Sequence, residues 1–243
     1  MVSLHVGDRP EHVIEKRRRL CAALNLDFDR YRVPREVGGD AVRIVSSGEA
    51  GAGRDRLENW IPKTDALVVA EPGITIAITA ADCAPIVIYD PDNHVGALVH
   101  AGGTGTSAAI AAKAVRFLEA KCAGRPAALL AGVGPAIGPC CYEITEDIAA
   151  QISAGFPYPA PVVQQRGGRW YANLEDANRQ QLLASGLSGD HIDVCGLCTA
   201  CRTDEFYSDR KEGRPTGRFV AFLCLRRFAS TARGRSGLAC CPA

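Results

Sequence analysis

The sequence lacks the hydrophobic segments that mark secreted and membrane proteins. Its first twenty residues contain no apolar core of the kind that a signal peptide needs. No apolar run approaches the roughly 20 residues that cross a bilayer, and the stretch AALLAGVGPAIG is interrupted by glycine and proline. These absences predict a soluble, cytoplasmic protein that does not associate with a membrane.

An excess of charge of either sign is also missing. The 28 lysines and arginines nearly balance the 27 aspartates and glutamates, which leaves a formal net charge of +1. Because nucleic-acid binding relies on a surplus of positive charge, we predict that the protein does not bind nucleic acid. The basic runs EKRRRL and RRFASTARGR are interpreted as solvated surface. With 47% hydrophobic residues and 23% charged residues, the composition is that of a chain with a sizeable core.

Histidine is scarce and cysteine is plentiful. Five histidines are few for the imidazole-rich sites that copper clusters use, whereas eleven cysteines are many. Without a secretory signal, these cysteines predict reduced thiols rather than a disulfide framework. The segment CGLCTAC places Cys195, Cys198 and Cys201 at a spacing that suits a metal, and Cys140 and Cys141 could add to them. A structural zinc site normally needs four ligands, and separate buried or loop thiols are the favoured interpretation.

Short apolar runs and helical patterns follow one another along the chain. DALVVA, ITIAITA, APIVIYD and VGALVHA are predicted to be adjacent strands of one sheet, with further strands at AVRIVSS and RFVAFLCL. Helices are predicted over residues 10–24, over 107–123 with Ser107 as a cap, over 146–154, and in NLEDANRQQLLASG. No internal repeat or linker interrupts this order. The prediction is one α+β domain over residues 1–243.

Cys83 and His100 each follow or close an apolar run, in ITIAITAADC and VGALVHAG. If the two runs are neighbouring strands, the thiol and the imidazole meet at one sheet edge. The histidine could then deprotonate the thiol, or both could hold a zinc ion that needs a third protein ligand. Asp82, beside the cysteine, is a candidate to orient the imidazole. On spacing alone, a buried cysteine and an unrelated histidine are the favoured interpretation, because a Cys/His pair by itself specifies no site.

Six segments, in this order along the chain, resemble the motifs of a known protein family: TAADCAPIVIYD, VHAGGTGT, GPAIGPCCYEI, LCTAC, FYSDRKEG and TGR. They resemble the bacterial family of purine nucleoside phosphorylase and adenosine deaminase proteins, also called multicopper polyphenol oxidase, laccase-domain or peptidoglycan editing factor proteins. The resemblance covers nearly the whole chain. It implies a mixed β-sandwich-like core flanked by helices, and one zinc ion bound by two histidines and a cysteine. Cys83 and His100 match two of these ligands.

The sequence departs from the family pattern at three places. The remaining ligand stands in a Gln-Val-His-Gly motif, which corresponds here to EVGG, with Gly38 in place of the histidine. Gly103 and Thr104 replace a Trp-Arg pair that follows the second histidine. A Gly-Gly segment that usually precedes SLHVGD is missing, so we expect an N-terminally shortened domain. We therefore predict zinc binding that is weakened or lost.

The resemblance also implies the substrate side of the site. Tyr142, Tyr207 and Arg210 are the predicted substrate-binding residues, because an aromatic ring beside an arginine suits a base and an anion. The alternative interpretation of FYSDRKEG is a hairpin turn with solvated charges instead of a substrate-binding segment. The predicted function is phosphorolysis or deamination of nucleosides like adenosine or inosine, a transferase or hydrolase reaction, with Cys83, His100 and Asp82 as catalytic residues.

Two other functions remain open from the sequence. A zinc-free relative could use Cys83 as a covalent nucleophile activated by His100, or could have become a binding protein. A copper phenol oxidase, as one family name suggests, is the least supported, because the chain has only five histidines. The oligomeric state is not predicted.

Overall fold

The structure of the protein is a computed structural model that describes residues 2–49, 51–154 and 162–226. No helix within those segments is long and apolar enough to cross a membrane. Most of the basic run over residues 226–235 lies outside the described residues.

The described segments contain short helices between many strands. The helices are α1 (Pro10–Ala23), α2 (Gly103–Ser107), α3 (Ile110–Cys122), α4 (Glu146–Ala154), α5 (Leu174–Ala184) and α6 (Asp209–Glu212). The strands are β1 (Tyr31–Arg32), β2 (Val42–Val45), β3 (Ala66–Val69), β4 (Thr75–Ala80), β5 (Ala84–Asp90), β6 (Val95–Ala101), β7 (Leu130–Val133), β8 (Glu143–Ile144), β9 (Val163–Arg166), β10 (Arg169–Ala172), β11 (Ile192–Val194) and β12 (Phe219–Cys224).

A six-stranded mixed sheet forms the centre of the fold, in the order β11-β7-β5-β6-β3-β2. Its outer pairs, β11 with β7 and β2 with β3, are parallel, and the inner pairs are antiparallel. Both faces of this sheet are buried. Alternate residues of a strand point to opposite faces, and on β3 both sets are buried. Ala66 and Val68 of β3 pack into one apolar cluster, while Leu67 and Val69 pack into another.

The two faces of this sheet are covered differently. On one face, the three-stranded sheet β1-β4-β12 contributes Ile76 and Ile78 of β4 to a core shared with Leu98 of β6. On the other face, α3 and α5 bury residues such as Leu118 and Leu182 against β5 and β6. The third sheet, β8-β10-β9, packs with α4 at the side. The prediction of an α+β domain with a sandwich-like core flanked by helices is confirmed.

Two local predictions were wrong. The run ITIAITA is not adjacent to the other three apolar runs in one sheet, because β4 pairs with β1 and β12 in the second layer. The chain crosses between the layers at Asp82, whose φ of 88° makes a sharp turn. The predicted helix over 107–123 is broken at Ala109, which adopts φ 58°. Ser107 does not cap α3; its hydroxyl donates to the carbonyl of Gly103 at 2.9 Å.

Candidate active site

Cys83 and His100 meet where β5 begins and β6 ends. The antiparallel register pairs Pro85 with His100, so the residues just before β5 lie beside the end of β6. The sulfur of Cys83 lies close enough to the imidazole of His100 to raise the pKa of the imidazole. Gly102 makes this approach feasible, because a Cβ atom at that position would lie 2.9 Å from the Cys83 sulfur. The structure therefore brings together the two residues that the sequence singled out.

Asp65 orients the imidazole from the opposite side. The Nδ1 atom of His100 donates to Oδ1 of Asp65 at 3.1 Å, and the backbone N–H of His100 donates to the Asp65 carbonyl at 2.7 Å. The Asp65 carboxylate is fully buried and also accepts the backbone N–H groups of Gly38 and Gly39, each at 2.9 Å. Because Nδ1 is occupied, Nε2 is the atom left to face Cys83.

The charges of His100 and Asp65 stabilise each other. Burial lowers the pKa of His100, but the neighbouring Cys83 sulfur and the hydrogen-bonded Asp65 outweigh it and raise the pKa well above the usual value. Burial raises the pKa of Asp65, but hydrogen bonds from His100 and from the N–H of Gly39 outweigh it and lower the pKa. The pair therefore sets a carboxylate of lowered pKa and an imidazole of raised pKa beside the Cys83 sulfur, an arrangement that can activate a nucleophile or hold an anion.

Asp82 does not make the contact that the sequence predicted. Its Oδ1 accepts the hydroxyl of Thr199 at 2.7 Å, and its Oδ2 accepts the backbone N–H of Arg210 at 2.8 Å. Asp82 thus anchors two loops beside Cys83, and the orienting carboxylate is Asp65. Sequence reasoning missed Asp65, although an acid directly before a fully apolar strand was a usable signal.

A cavity of about 330 Å³ opens beside Cys83. The Tyr142 hydroxyl reaches into the space next to Gly103, where a Cβ atom would lie only 2.4 Å from it. Burial and the nearby Cys83 raise the pKa of Tyr142. The guanidinium carbon of Arg210 lies 5.3 Å from the centre of the Tyr142 ring, and Arg214 lines the same cavity. The predicted residues Tyr142 and Arg210 therefore join Cys83 at one cavity.

Tyr207 lies elsewhere. Its ring packs against the backbone at Gly217, where a Cβ atom would lie 2.4 Å from Cε1 of the tyrosine. It is not among the residues that line the cavity. Its predicted role in substrate binding stays a prediction.

A second cavity of about 580 Å³ adjoins the first through Arg214. It is lined by His5 and Arg218, and the Nδ1 atom of His5 lies 2.8 Å from the hydroxyl of Ser3. Burial and the neighbouring charge of Arg218 lower the pKa of His5. Neither His5 nor Arg214 is predicted from the sequence to belong to the site, because both are far from Cys83 in the chain.

Comparison with known proteins identifies the family. The sequence model described as multi-copper polyphenol oxidoreductase laccase matches residues 2–226. The purine nucleoside phosphorylase YlmD of Geobacillus stearothermophilus is 34% identical over 227 residues, which are 93% of this chain and 83% of that protein. The chain is a member of this laccase family. The adenosine deaminase RL5, from an unknown prokaryotic organism, is 31% identical and covers 88% of this chain and 82% of its own length.

The fold agrees with this laccase-family membership. The crystal structure of YlmD from Geobacillus stearothermophilus superposes with a TM-score of 0.90 at 33% sequence identity. The superposition covers 93% of this chain and 84% of the other.

The zinc site implied by the family resemblance can be tested against the residues present. Gly38 stands in place of the third ligand and has no side chain that could bind a metal. Its backbone N–H donates to the carboxylate of Asp65. Cys83 and His100 belong to no group of three or more closely spaced His, Cys, Asp or Glu donors among the described residues. The partly buried Glu36 is nearby, but its Oε1 accepts the N–H of Thr79 at 2.8 Å. These residues do not provide three protein ligands for zinc.

Four cysteines do come together in this laccase-family chain, at another place. The sulfur atoms of Cys140, Cys141, Cys198 and Cys201 all lie within 4.8 Å of one another. The interpretation of these residues as separate thiols was therefore wrong about their positions. The adjacent pair Cys140-Cys141 supplies the two further thiols that the sequence offered as the less favoured alternative.

Proposed function

We propose that this chain binds a purine nucleoside in the cavity beside Cys83 and cleaves its glycosidic bond with inorganic phosphate. The observation that carries the proposal is the convergence of three groups on one cavity: Cys83, which lies beside His100, the Tyr142 ring, and the arginines 210 and 214. The names of the relatives, purine nucleoside phosphorylase and adenosine deaminase, support a nucleoside as the substrate.

The lining of the cavity suits the parts of such a substrate. At about 330 Å³, the cavity falls within the size range of small-molecule sites. Ile137 and Leu174 offer apolar surface near Tyr142, where a flat purine can pack. Arg210 and Arg214 offer guanidinium groups, which match the geometry of a phosphate anion.

Phosphorolysis fits these residues better than deamination does. Deamination of a purine needs an activated water, which nucleoside and base deaminases obtain from a zinc ion held by three protein ligands. We infer that zinc binding at Cys83 and His100 is weakened or lost, because Gly38 supplies no ligand. Phosphate is already an anionic nucleophile and needs orientation and charge stabilisation instead.

The proposed reaction balances without a metal or an oxidant. A phosphate oxygen attacks C1′ of the ribose, the bond from C1′ to N9 of the purine breaks, and the electron pair leaves with the base. The base takes up the proton that the hydrogen phosphate gives up as its oxygen bonds to C1′, and the products are the free purine and ribose 1-phosphate. Arg210 and Arg214 would hold the phosphate and offset its negative charge.

The test is to incubate the purified protein with inosine and with adenosine, with and without phosphate, and to quantify bases and ribose 1-phosphate. Phosphate-dependent release of hypoxanthine or adenine is expected. Arg210→Met should reduce the rate at least tenfold, whereas Lys211→Met, a change at the next residue outside the cavity lining, should leave it within twofold. Conversion of adenosine to inosine without phosphate would show deamination instead, and the absence of any turnover would contradict the proposal.

A second candidate function is covalent catalysis by Cys83. Cys83, His100 and Asp65 lie in the order of a nucleophile, a base and an orienting carboxylate, with His100 hydrogen-bonded to Asp65. Iodoacetamide at pH 7, followed by peptide mass spectrometry, should then modify Cys83 faster than the exposed Cys195. If Cys83→Ser retains the phosphorolytic rate, the sulfur is not a nucleophile in that reaction.

Neither a copper oxidase nor a binding protein is favoured by a specific observation. Copper sites rely on several imidazoles, and no cluster of three or more histidines exists among the described residues. A chain that binds inosine tightly in calorimetry but shows no turnover would support the binding protein.

A further inference from the structure

We infer that Cys140, Cys141, Cys198 and Cys201 form a zinc site made of four thiolates, separate from the Cys83–His100 pair. The four sulfurs lie within 4.8 Å of one another, and no other group of three or more such donors exists in the part of the chain that the structure describes. Nothing in the proposed nucleoside chemistry uses these residues. The inference is therefore independent of that function.

The distances between the sulfurs match a single tetrahedral ion. Cys201 lies 3.6 Å from the sulfur of Cys140 and 3.5 Å from the sulfur of Cys141. A zinc–sulfur bond of about 2.3 Å places the corners of a tetrahedron about 3.8 Å apart. A disulfide would need about 2.05 Å, and an iron–sulfur cluster places several iron atoms between its thiolates and separates them further. Zinc is the common ion for a closed site of four sulfurs.

The topology explains why residues about 60 positions apart meet. Strands β7 and β11 are parallel neighbours, so the loops that follow them leave the sheet at the same edge. The first loop carries Cys140 and Cys141, and the second carries Cys198 and Cys201. A β-bridge between Ala136 and Cys198 continues the pairing beyond the strands and fixes the two loops against each other.

The surroundings of the cluster favour thiolates. The backbone N–H of Gly138 donates to the sulfur of Cys198 at 3.2 Å, the kind of hydrogen bond that supports a metal-bound thiolate. A side chain at Gly138 would crowd the site, because a Cβ atom there would lie 3.3 Å from the sulfur of Cys140. The guanidinium of Arg166 binds the carbonyl of Pro139 and brings positive charge near the four sulfurs.

The zinc ion would join the two loops that form one side of the proposed substrate cavity. Tyr142 follows Cys141 directly, and Thr199 follows Cys198. The hydroxyl of Thr199 and the backbone N–H of Ile137 both bind Asp82, next to Cys83. A metal at the far end of these loops would therefore hold Tyr142 and Ile137 in place, which is a structural role.

The experiment is to measure zinc per chain by mass spectrometry in the full-length protein, purified under reducing conditions from zinc-supplemented cells. We expect about one zinc per chain in the wild type, and Cys198→Ser and Cys201→Ser should lower this content at least tenfold. Cys195→Ser is the matched control, because this exposed cysteine lies in the same segment but outside the cluster. Cys195→Ser and the double variant Cys83→Ser/His100→Ala should both retain the wild-type content.

A measurement on the wild type tests the inference even if the cysteine variants fail to fold. Protein stripped with a chelator and reloaded with Co²⁺ should show the strong visible bands of tetrahedral cobalt with thiolate ligands, and X-ray absorption of the zinc form should show four sulfurs at about 2.3 Å. The inference is overturned if the reduced wild type holds less than a tenth of a zinc per chain. It is also overturned if zinc disappears with Cys83→Ser/His100→Ala but persists in Cys198→Ser, or if Cys140 and Cys201 form a disulfide in the reduced protein.

Discussion

The Cys83–His100 pair and the four-cysteine cluster both contain residues that bind metals, but they lie in different surroundings. The pair stands between buried strands, and its imidazole is held by the buried carboxylate of Asp65. The cluster stands on loops, with Cys140 and Cys201 exposed to solvent. The pair offers two donors and an adjoining cavity, whereas the cluster offers four donors that face one another. The number and closure of donors, rather than the residue types, separate a reactive site from a structural metal site.

The largest effect is expected at the carboxylate of the pair. Asp65→Asn should lower kcat/KM for the nucleoside by about 10²–10⁴-fold, because the orientation and charge of His100 depend on this group. The pKa of His100, followed by NMR, should also fall toward its usual value, which is a measurement that does not require activity. Asp40→Asn is the control, since Asp40 forms a surface ion pair with Lys113. Wild-type activity together with an unchanged His100 pKa in Asp65→Asn would contradict the proposed network.

Removal of metal should destabilise the protein through the four-cysteine cluster and not through the Cys83–His100 pair. If zinc exceeds its dissociation constant a thousandfold, its binding adds about 4 kcal/mol to the free energy of unfolding, which a chelator would remove. The unfolding temperature of the wild type should fall by about 8–16 °C, given the size of the chain. The same chelator should leave the unfolding temperature of Cys198→Ser unchanged. An equal decrease in both proteins would show that the stabilising metal is bound elsewhere.

Restoring a histidine should convert the pair into a metal site. Gly38→His in the Cys198→Ser background should raise zinc affinity by about 10–100-fold over Cys198→Ser alone, because it adds a third donor. No atom lies within 4 Å of a Cβ at this position, although the φ of 70° will cost about 1 kcal/mol or more. Zinc titration against a competing chelator measures the gain. An unchanged affinity would mean that residue 38 does not face the Cys83–His100 pair.

The smallest effect is expected at Glu36, beside the pair. Burial raises the pKa of Glu36, with His100 acting in the opposite direction. A raised pKa in the folded state means that stability is lost as the pH rises through the ordinary carboxyl pKa toward the folded one. Glu36→Gln should therefore raise the unfolding temperature at pH 7 and change it little at pH 4, measured by thermal denaturation. A larger gain at pH 4 than at pH 7 would have the wrong sign.

The comparison between pair and cluster also shows how far sequence reasoning reached. Cys83 and His100 stood out because each follows or closes an apolar run, a pattern that depends only on near neighbours in the chain, and the family resemblance made them a predicted site. Tyr142 and Arg210 were found through family motifs and do line the cavity. Asp65 was missed because its contact with His100 depends on the pairing of β3 with β6, which brings together residues 35 positions apart. Asp82 was assigned the orienting role because it is the acid next to Cys83 in the chain, although its carboxylate binds Thr199 and Arg210.

The sequence by itself determined the positions of most helices and strands, because alternation and helical periodicity reflect which local residues must be buried. It also determined that a thiol and an imidazole lie at the ends of apolar segments. Only the tertiary structure decided that β4 belongs to the second layer, that Asp65 holds His100, and that four cysteines converge. Each of these depends on which distant strands pair and in which register, and the local pattern of residues does not contain that information.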